Sequence, residues 1–548
     1  MLKIAFLGGL GDFGKNMTVF DQDGRLLVVD CGSMFPEADF PGIDLVFPDF
    51  TYLQDKADRF EGLVLTHGHE DHLGAAPFLL RQFPMPVYGG PVTLGILARK
   101  LEELEVTAPV QVALQAGRRY DLGPFALEAI PVTHSIPDAF SLLIGTADAA
   151  VLHTGDFKLD QTPLDGRLTH YHRFQEAGAR GVTALLIDST NVEVEGMVGS
   201  EVRVRGTLER YIASQKGKLF ITLFSSNLMR VQSILELAAT HGKRVAFFGR
   251  SLVQNVKVGQ ETGYLRMPPG VEVGVEEVPD LPRSEVIVIA SGSQAEPFAA
   301  LNRLVFDESR HLYVEEGDLL IFSARIIPGN EKRVARVINQ VYRNGGQAVT
   351  PREDRVHVSG HAAQEEIKLL ASWVRPRYYV PIHGEYRQLK GNAALAKEMG
   401  YPDENTLVCD TGHCLLFEAG ELVGREEVPT GSQLIDGDTS DAVDRVVVRD
   451  RRHLSQDGVV VPIVVINRQT GRMESAPEII SRGYPYLDGA NGTVEEVRAD
   501  LVAMVRSLPQ EEIRDESIVK AKVKSTVKKT LKRNDAKIPL IIPVVMEI

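Results

Sequence analysis

The chain reads as an α/β protein of several domains built around a metal centre. Short apolar strands ending in turns fill roughly the first 190 residues, and from about residue 203 to 350 strands and helices alternate. Between them in importance stands Thr66-His67-Gly68-His69-Glu70-Asp71-His72, three imidazoles and two carboxylates directly after the apolar run Leu63-Val64-Leu65. A buried strand ending in a turn brings such side chains together at its carboxyl end. Imidazole and carboxylate are the ligands of a hydrolytic zinc or manganese site, and the thiolates of a closed structural zinc site are absent there.

Taken in order, residues 3–7 and 17–20 have strand character, and 25–30 pairs back through the turn at Asp23-Gly24. Gly9, Gly11 and Gly14 spell a dinucleotide-binding fingerprint, but that motif needs a helix after the glycines and a hairpin follows here. The expectation is a tight turn that lets the backbone approach the metal. Residues 75–82 and 92–104 have helical spacing, while 125–132, 141–145, 149–153 and 184–188 read as strands. Beyond residue 203, strands at 218–222, 243–248, 285–290 and 319–323 alternate with helices at 228–241 and 331–344, the pattern of a parallel sheet with both faces covered. After His357 a strand-and-turn texture is expected to return. Residues 431–441, rich in Gly, Asp, Ser and Thr, look like a linker, followed by a strand pair, a helix near 493–507 and a basic stretch from Lys520 to Arg533.

At 548 residues the chain exceeds what one core serves, so two to four domains are expected. No apolar run reaches the roughly 18–20 residues of a membrane helix, and the start is too short for a signal peptide. Cys31, Cys409 and Cys414 cannot make a disulfide framework, which favours a reducing compartment and a cytoplasmic protein. The pair flanking His413 reads as buried thiols rather than a zinc site. A net charge of −14 argues mildly against an indiscriminate nucleic-acid coat but leaves a nuclease open, because a local groove and bound cations supply positive charge where phosphate sits.

Three more ligand types stand at strand ends: His134 after Ala129-Ile130-Pro131-Val132-Thr133, Asp156 in His153-Thr154-Gly155-Asp156, and His383 in Tyr379-Val380-Pro381-Ile382-His383-Gly384-Glu385. Each alone is more often a hydrogen-bonded structural residue. Together with His67, His69, Asp71 and His72 they suffice for two cations sharing a carboxylate, the arrangement that clamps a phosphoryl displacement.

His67-x-His69-x-Asp71-His72 with His134, Asp156 and His383 resembles the metallo-β-lactamase fold, an αββα sandwich. The resemblance implies His67, His69 and His134 on one metal, Asp71, His72 and His383 on the other, and Asp156 between, with Asp30 bracing the site. Asp188-Ser189-Thr190, the stretch His357-Val358-Ser359-Gly360-His361, and His383 look like the motifs of the β-CASP branch, whose inserted α/β domain goes with nucleic-acid processing. The wording of Leu7 to Met17, Gly42 to Asp49, Pro131 to Asp138 and Val380 to Arg387 is similar to the bacterial ribonuclease J family, and the similarity runs through the C-terminal domain. Ser225 departs from the alanine the family leads one to expect, and Asp188 stands where some relatives carry Glu.

That resemblance implies a metallo-β-lactamase domain over 1–205 and 351–430, a β-CASP domain over 206–350, a linker over 431–450 and a small α+β domain over 451–548. It implies two Zn²⁺ or Mn²⁺ per subunit and 5′→3′ exonuclease action preferring a 5′-monophosphate, alongside endonuclease cleavage, in rRNA maturation and mRNA decay. Asp71, His361 and Asp188 would carry the chemistry. Ser225, Ser226 and Asn227, with His357, Val358, Ser359, Gly360 and His361, would bind RNA; for the first three, plain helix capping is an equal reading. Ser291 to Glu296 has the same two readings. Gly42, Asp44 and Asp436 are candidates for a structural Ca²⁺. The lysines of 520–533 read as a solvated helix face near a subunit contact, with RNA tracking the alternative. A homodimer or tetramer, membership of an RNA-degradation complex and no membrane contact are the partners implied. A small-molecule lactonase, a DNA-repair exonuclease and a non-catalytic scaffold remain the competing classes.

Overall fold

A computed structural model describes residues 1–36, 40–296, 299–306, 309, 312–327, 329–437, 443–467, 469–485, 493–533 and 537–548. It divides into two units, Met1–Met34 with Phe47–Ser432, and Phe35–Val46 with Gln433–Ile548.

The first unit holds two facing sheets. One has eight strands, with Leu2–Gly8 between His413–Glu418 and Met17–Gln22, then Arg25–Val29 and Phe60–Val64; the other has six, with Tyr378–Ile382 at one edge, followed by Ala184–Asp188 and Ala150–His153. Period-two alternation decides which way each side chain points. In Ala184–Asp188, Ala184 and Leu186 enter the core between the sheets with Ile4, Phe20, Val29 and Leu142. Leu185 and Ile187 face the other way, against Phe174, Ile367, Leu370 and Val374 of the covering helices Tyr171–Arg180 and Gln364–Val374. A strand buried on both faces must be apolar throughout, which is why this one reads as an unbroken run.

The chain leaves after Asp188 and returns on Tyr378–Ile382, parallel to it, with Asp188 opposite Ile382. Between lies a five-stranded parallel sheet in the order Arg244–Phe248, Val286–Ala290, Leu219–Thr222, Leu319–Phe322, Gln347–Val349. Helices Leu228–Thr240, Arg250–Glu261 and Glu331–Arg343 accompany it. Connections from Leu219–Thr222 and from Leu319–Phe322 run to opposite sides, so the crevice between those two strands is the topological switch point where open α/β sheets bind ligands.

The second unit is a sheet around Val459–Asn467, whose Val460, Val464 and Ile466 pack on Val497, Leu501 and Val505 of one helix and Val519, Val523, Val527 and Leu531 of another. The i, i+4 spacing of the latter set turns the lysines of Glu516–Arg533 outward. Lys522, Lys524, Lys528, Lys529 and Lys532 are exposed, as a solvated face requires.

The fold corrects the expectation for the region after His357. It contains two helices, Gln364–Val374 and Tyr386–Glu398, rather than strand and turn alone. The stretch taken as a linker contains the strand Ser432–Ile435; its residues 438–442 lie outside the described residues.

Candidate metal centre and nucleic-acid site

Two strand pairings deliver the candidate ligands to one place. Arg25–Val29 and Phe60–Val64 run parallel with Val29 opposite Val64, so Asp30 and the histidine segment leave adjacent strands at their carboxyl ends. Ala150–His153, Ala184–Asp188 and Tyr378–Ile382 are likewise parallel neighbours, which sends Asp156, Asp188 and His383 out of the second sheet side by side.

His67, His69, His134 and Asp156 each offer a ligand atom, all within 4.8 Å of one another; so do Asp71, His72, Asp156 and His383, and so do Asp156, Asp188, His361 and His383. His69 Nδ1 lies 3.0 Å from His67 Nε2 and 3.1 Å from His134 Nε2. That spacing suits one ion about 2 Å from each nitrogen. Asp156 Oδ2 is 3.3 Å from His72 Nε2 and 3.6 Å from His67 Nε2, and Oδ1 is 3.7 Å from His383 Nε2. Asp156 Oδ1 is buried and accepts no hydrogen bond among the described residues, an unusual cost that a bound cation removes.

Charge divides the cluster in two. Burial holds His67 and His134 well below the ordinary imidazole range and takes His69 down to about 4, so these three are neutral donors with lone pairs free. Burial also disfavours a charged His383, but Asp156, Asp188 and Asp71 outweigh it and raise it to about 10. His72 is raised in the same way by Asp156, Asp71 and Asp30. Asp71, Asp156 and Asp188 crowded together demand positive charge, so the donor set fits two divalent cations, with Asp156 a member of both candidate ligand groups.

Neighbours fix each ring. Asp30 Oδ2 holds His72 Nδ1 at 2.8 Å while accepting Thr66 Oγ1–H at 2.8 Å. Thr190 Oγ1 holds His383 Nδ1 at 2.6 Å, leaving Nε2 toward Asp71 and Asp156. His134 Nδ1 donates to the Gly360 carbonyl at 2.8 Å. His361 Nδ1 lies 2.8 Å from Asp188 Oδ2. The glycine-rich turn does approach the centre: Gly9, at φ +83°, abuts Asn16, whose side chain donates to the Asp71 carbonyl at 2.9 Å.

The proposed RNA-binding residues fall in two linked places. Asn227 Oδ1 accepts the Arg230 N–H at 3.1 Å and caps the helix Leu228–Thr240, whereas Ser225 and Ser226 stay half-exposed at the switch-point crevice. Arg230, itself buried, pairs with Glu201 at 2.5 Å and donates to His357 Nδ1 at 3.2 Å. His357, Val358 and Ser359 are half-buried, and Ser359 Oγ accepts the His361 N–H at 3.2 Å. In the other polar turn, Gln294 neither caps nor lies open. Its amide accepts from Ile327 N–H and donates to the Arg325 carbonyl, each at 2.8 Å. Sequence reasoning missed Arg230, Glu201 and Asn191, since buried polar pairing between distant elements leaves no local pattern; Thr190 was named within a motif, but not as the partner of His383.

His357 makes a pH prediction. Burial, then Arg230, Arg325 and Lys158, depress it well below 6.5. On acidification the unfolded chain takes up this proton and the folded chain does not, so stability is lost as pH falls through the ordinary histidine value. Substituting His357→Gln should narrow the drop in melting temperature between about pH 7.5 and about pH 5.5; an unchanged or wider drop contradicts this.

In the second unit Gly42, Asp44 and Asp436 do meet, around a side chain. Arg451 donates to the Gly42 carbonyl at 2.8 Å and pairs with Asp436. Asp44 Oδ2 accepts the Gly437 N–H at 2.6 Å. A guanidinium thus already serves two of the three groups considered for calcium.

Comparison with known proteins agrees with this architecture. Residues 10–214 match the family model of the metallo-beta-lactamase superfamily, 216–341 the ribonuclease J beta-CASP domain, 349–408 a Zn-dependent metallo-hydrolase RNA specificity domain, and 446–548 the ribonuclease J C-terminal domain. Ribonuclease J of Mycobacterium tuberculosis is 40% identical, covering 100% of this chain and 97% of its own. Ribonuclease J of Thermus thermophilus is 38% identical over 100% and 95%, and ribonuclease J2 of Bacillus subtilis 33% over 100% and 99%. A solved structure of a protein of unknown function from Enterococcus faecalis V583 shares the fold, with a TM-score of 0.53 at 15% identity over 76% of this chain and 99% of that one. With relatives this similar along its whole length and a donor set that fits divalent cations, the chain belongs to the ribonuclease J family and is a metal-dependent ribonuclease.

Proposed function

We propose that the protein shortens 5′-monophosphorylated RNA from its 5′ end and also cuts internally, in rRNA maturation and mRNA decay. One observation carries this reading. The loop His357–His361 touches the candidate metal ligand His134 through Gly360 and Asp188 through His361 at one end, and Arg230 behind the Ser225-Ser226-Asn227 turn at the other. Five residues span at most roughly 17 Å. A terminal phosphate seated at the turn would therefore lie a short, fixed distance from the reacting centre.

Two Zn²⁺ or Mn²⁺ held by His67, His69, Asp71, His72, His134, Asp156 and His383 would supply hydroxide near neutral pH and offset charge on the phosphate. Asp71, a third exposed, accepts a hydrogen bond from the attacking oxygen and orients it. His361 gives a proton to the leaving 3′ oxygen. Burial opposes its charge, but Asp188 and Asp156 prevail and raise it above the ordinary imidazole value, which favours the proton-bearing form an acid needs. Asp188 holds Nδ1 of His361 and so directs Nε2 to substrate.

The three cysteines are free and buried, which supports a reducing, cytoplasmic setting, and among the described residues no helix is long and apolar enough to cross a membrane. Val461, Ile463 and Val465 with Ile480 and Met546 leave an apolar sheet face open in the second unit, which supports a homodimer, or a tetramer built from it. A further place in an RNA-degradation assembly, and a calcium at Gly42, Asp44 and Asp436 upon displacement of Arg451, complete the reading.

The test uses metal-reconstituted protein and one RNA with a 5′-monophosphate, 5′-triphosphate or 5′-hydroxyl, beside the matching DNA. Mononucleotides should appear fastest from the monophosphate RNA and vanish with Asp71→Ala. Equal cleavage by that variant, or DNA cut in preference, overturns the proposal.

A further inference from the structure

The switch-point crevice offers hydroxyls from Ser225 and Ser226, yet a terminal phosphate is close to dianionic near neutral pH and calls for a cation. Of the cations around His357, two are already matched. Lys158 is buried 3.4 Å from Asp160, and Arg230 is buried against Glu201. Arg325 differs. Its side chain is exposed, and among the described residues no carboxylate pairs with it.

Arg325 is nonetheless held in place. Thr222 and Phe322 are opposite one another in adjacent parallel strands, so Ser225 and Arg325 each stand three residues beyond that pair, on the two lips of one crevice. The backbone at Arg325 is pinned by Gln294, 3% exposed, which bonds the Arg325 carbonyl and the Ile327 N–H. Nη1 donates to Asn191 Oδ1 at 2.7 Å, and the buried Asn191 donates in turn to the His361 carbonyl at 3.0 Å. Among the described residues only one of the five guanidinium N–H groups is engaged with protein, so a fork remains for an oxyanion.

We infer that Arg325 is a specificity-determining residue that binds the 5′-terminal phosphate of RNA across the crevice from Ser225 and Ser226. The inference rests on the 5′-monophosphate reading above. Holding the fork by one N–H keeps it oriented without neutralising it, which is what a charge-reading contact needs. The expected consequence is a contact felt in KM on phosphorylated RNA and absent on hydroxyl-ended RNA.

The experiment compares the parent, Arg325→Gln and Arg325→Lys on RNAs identical but for a 5′-monophosphate or 5′-hydroxyl, at several salt concentrations. With the monophosphate RNA, Arg325→Gln should raise KM about tenfold, the loss of one charge-assisted contact, with kcat within about twofold. Its slope of log kcat/KM against log salt should shrink by about 0.7, one phosphate contact on a single strand. Arg325→Lys should restore the slope and part of KM, and neither variant should alter the hydroxyl RNA. If Arg325 merely buttresses His361 through Asn191, kcat falls alike on both RNAs with the slope unchanged, and the inference is overturned. A parent without preference for the monophosphate would sink the exonuclease reading itself. A parent that keeps its preference while Arg325→Gln loses none of it would sink only the assignment of Arg325.

Discussion

Asp156→Asn should lower RNA hydrolysis by about 10⁴-fold, near 5 kcal/mol of lost transition-state stabilisation. The side chain is 2% exposed and faces both ligand groups, Oδ2 toward His67, His72 and His134, Oδ1 toward His383. An amide of the same size keeps the packing but removes the charge that both halves share. Metal affinity and rate should therefore fall together, while circular dichroism of the metal-free protein stays that of the parent. A variant that keeps both its metals and its rate would show that Asp156 bridges nothing.

Gly360→Ala should reduce kcat by about 100-fold with little change in KM, because it strikes a ligand indirectly. A Cβ at Gly360 would stand 2.8 Å from His134 Cε1 and Nδ1 and 2.9 Å from Ser135 Cβ. The ring cannot swing away freely, since its Nδ1 is bonded to the Gly360 carbonyl and its Nε2 converges with His69. The glycine lets the loop 357–361 lie against His134 and hold its ring, which in the proposed site is a metal ligand. Steady-state kinetics with a metal count per chain checks this: partial metal loss beside the fall in kcat is expected, and activity within about twofold of the parent contradicts it.

These contacts mark the limit of what the chain alone discloses. The convergence of the candidate ligands was legible because strand geometry is local: an apolar run followed by imidazoles and carboxylates must put them at a strand end, as at Val64 and His67 or Ile382 and His383. The inserted sheet was legible from its strand–helix alternation. Helix Gln364–Val374 carried a usable signal, Ile367, Leu370, Ala371 and Val374 at helical spacing, but its eleven residues sit between a polar loop and a strand whose texture dominated the reading. Ser432–Ile435 was hidden by a polar, glycine-rich setting, since pairing rather than composition makes it a strand. The turn at 225–227 was ambiguous in sequence and is divided in structure, with Asn227 capping and the two serines left at the crevice. Arg230 with Glu201, and Arg325 with Asn191, join residues 29 and 134 positions apart. Nothing local encodes such pairs.

In the proposed centre, ribonuclease activity depends on cations shared through one carboxylate. The most direct test of this dependence titrates metal-free parent and Asp156→Asn with Mn²⁺, counting bound ions while following cleavage of a 5′-monophosphate RNA. The parent's rate should climb until two ions are bound per chain, and the variant should stay flat throughout. Full cleavage by the metal-free parent, or cleavage by Asp156→Asn at the parent's rate, would contradict it.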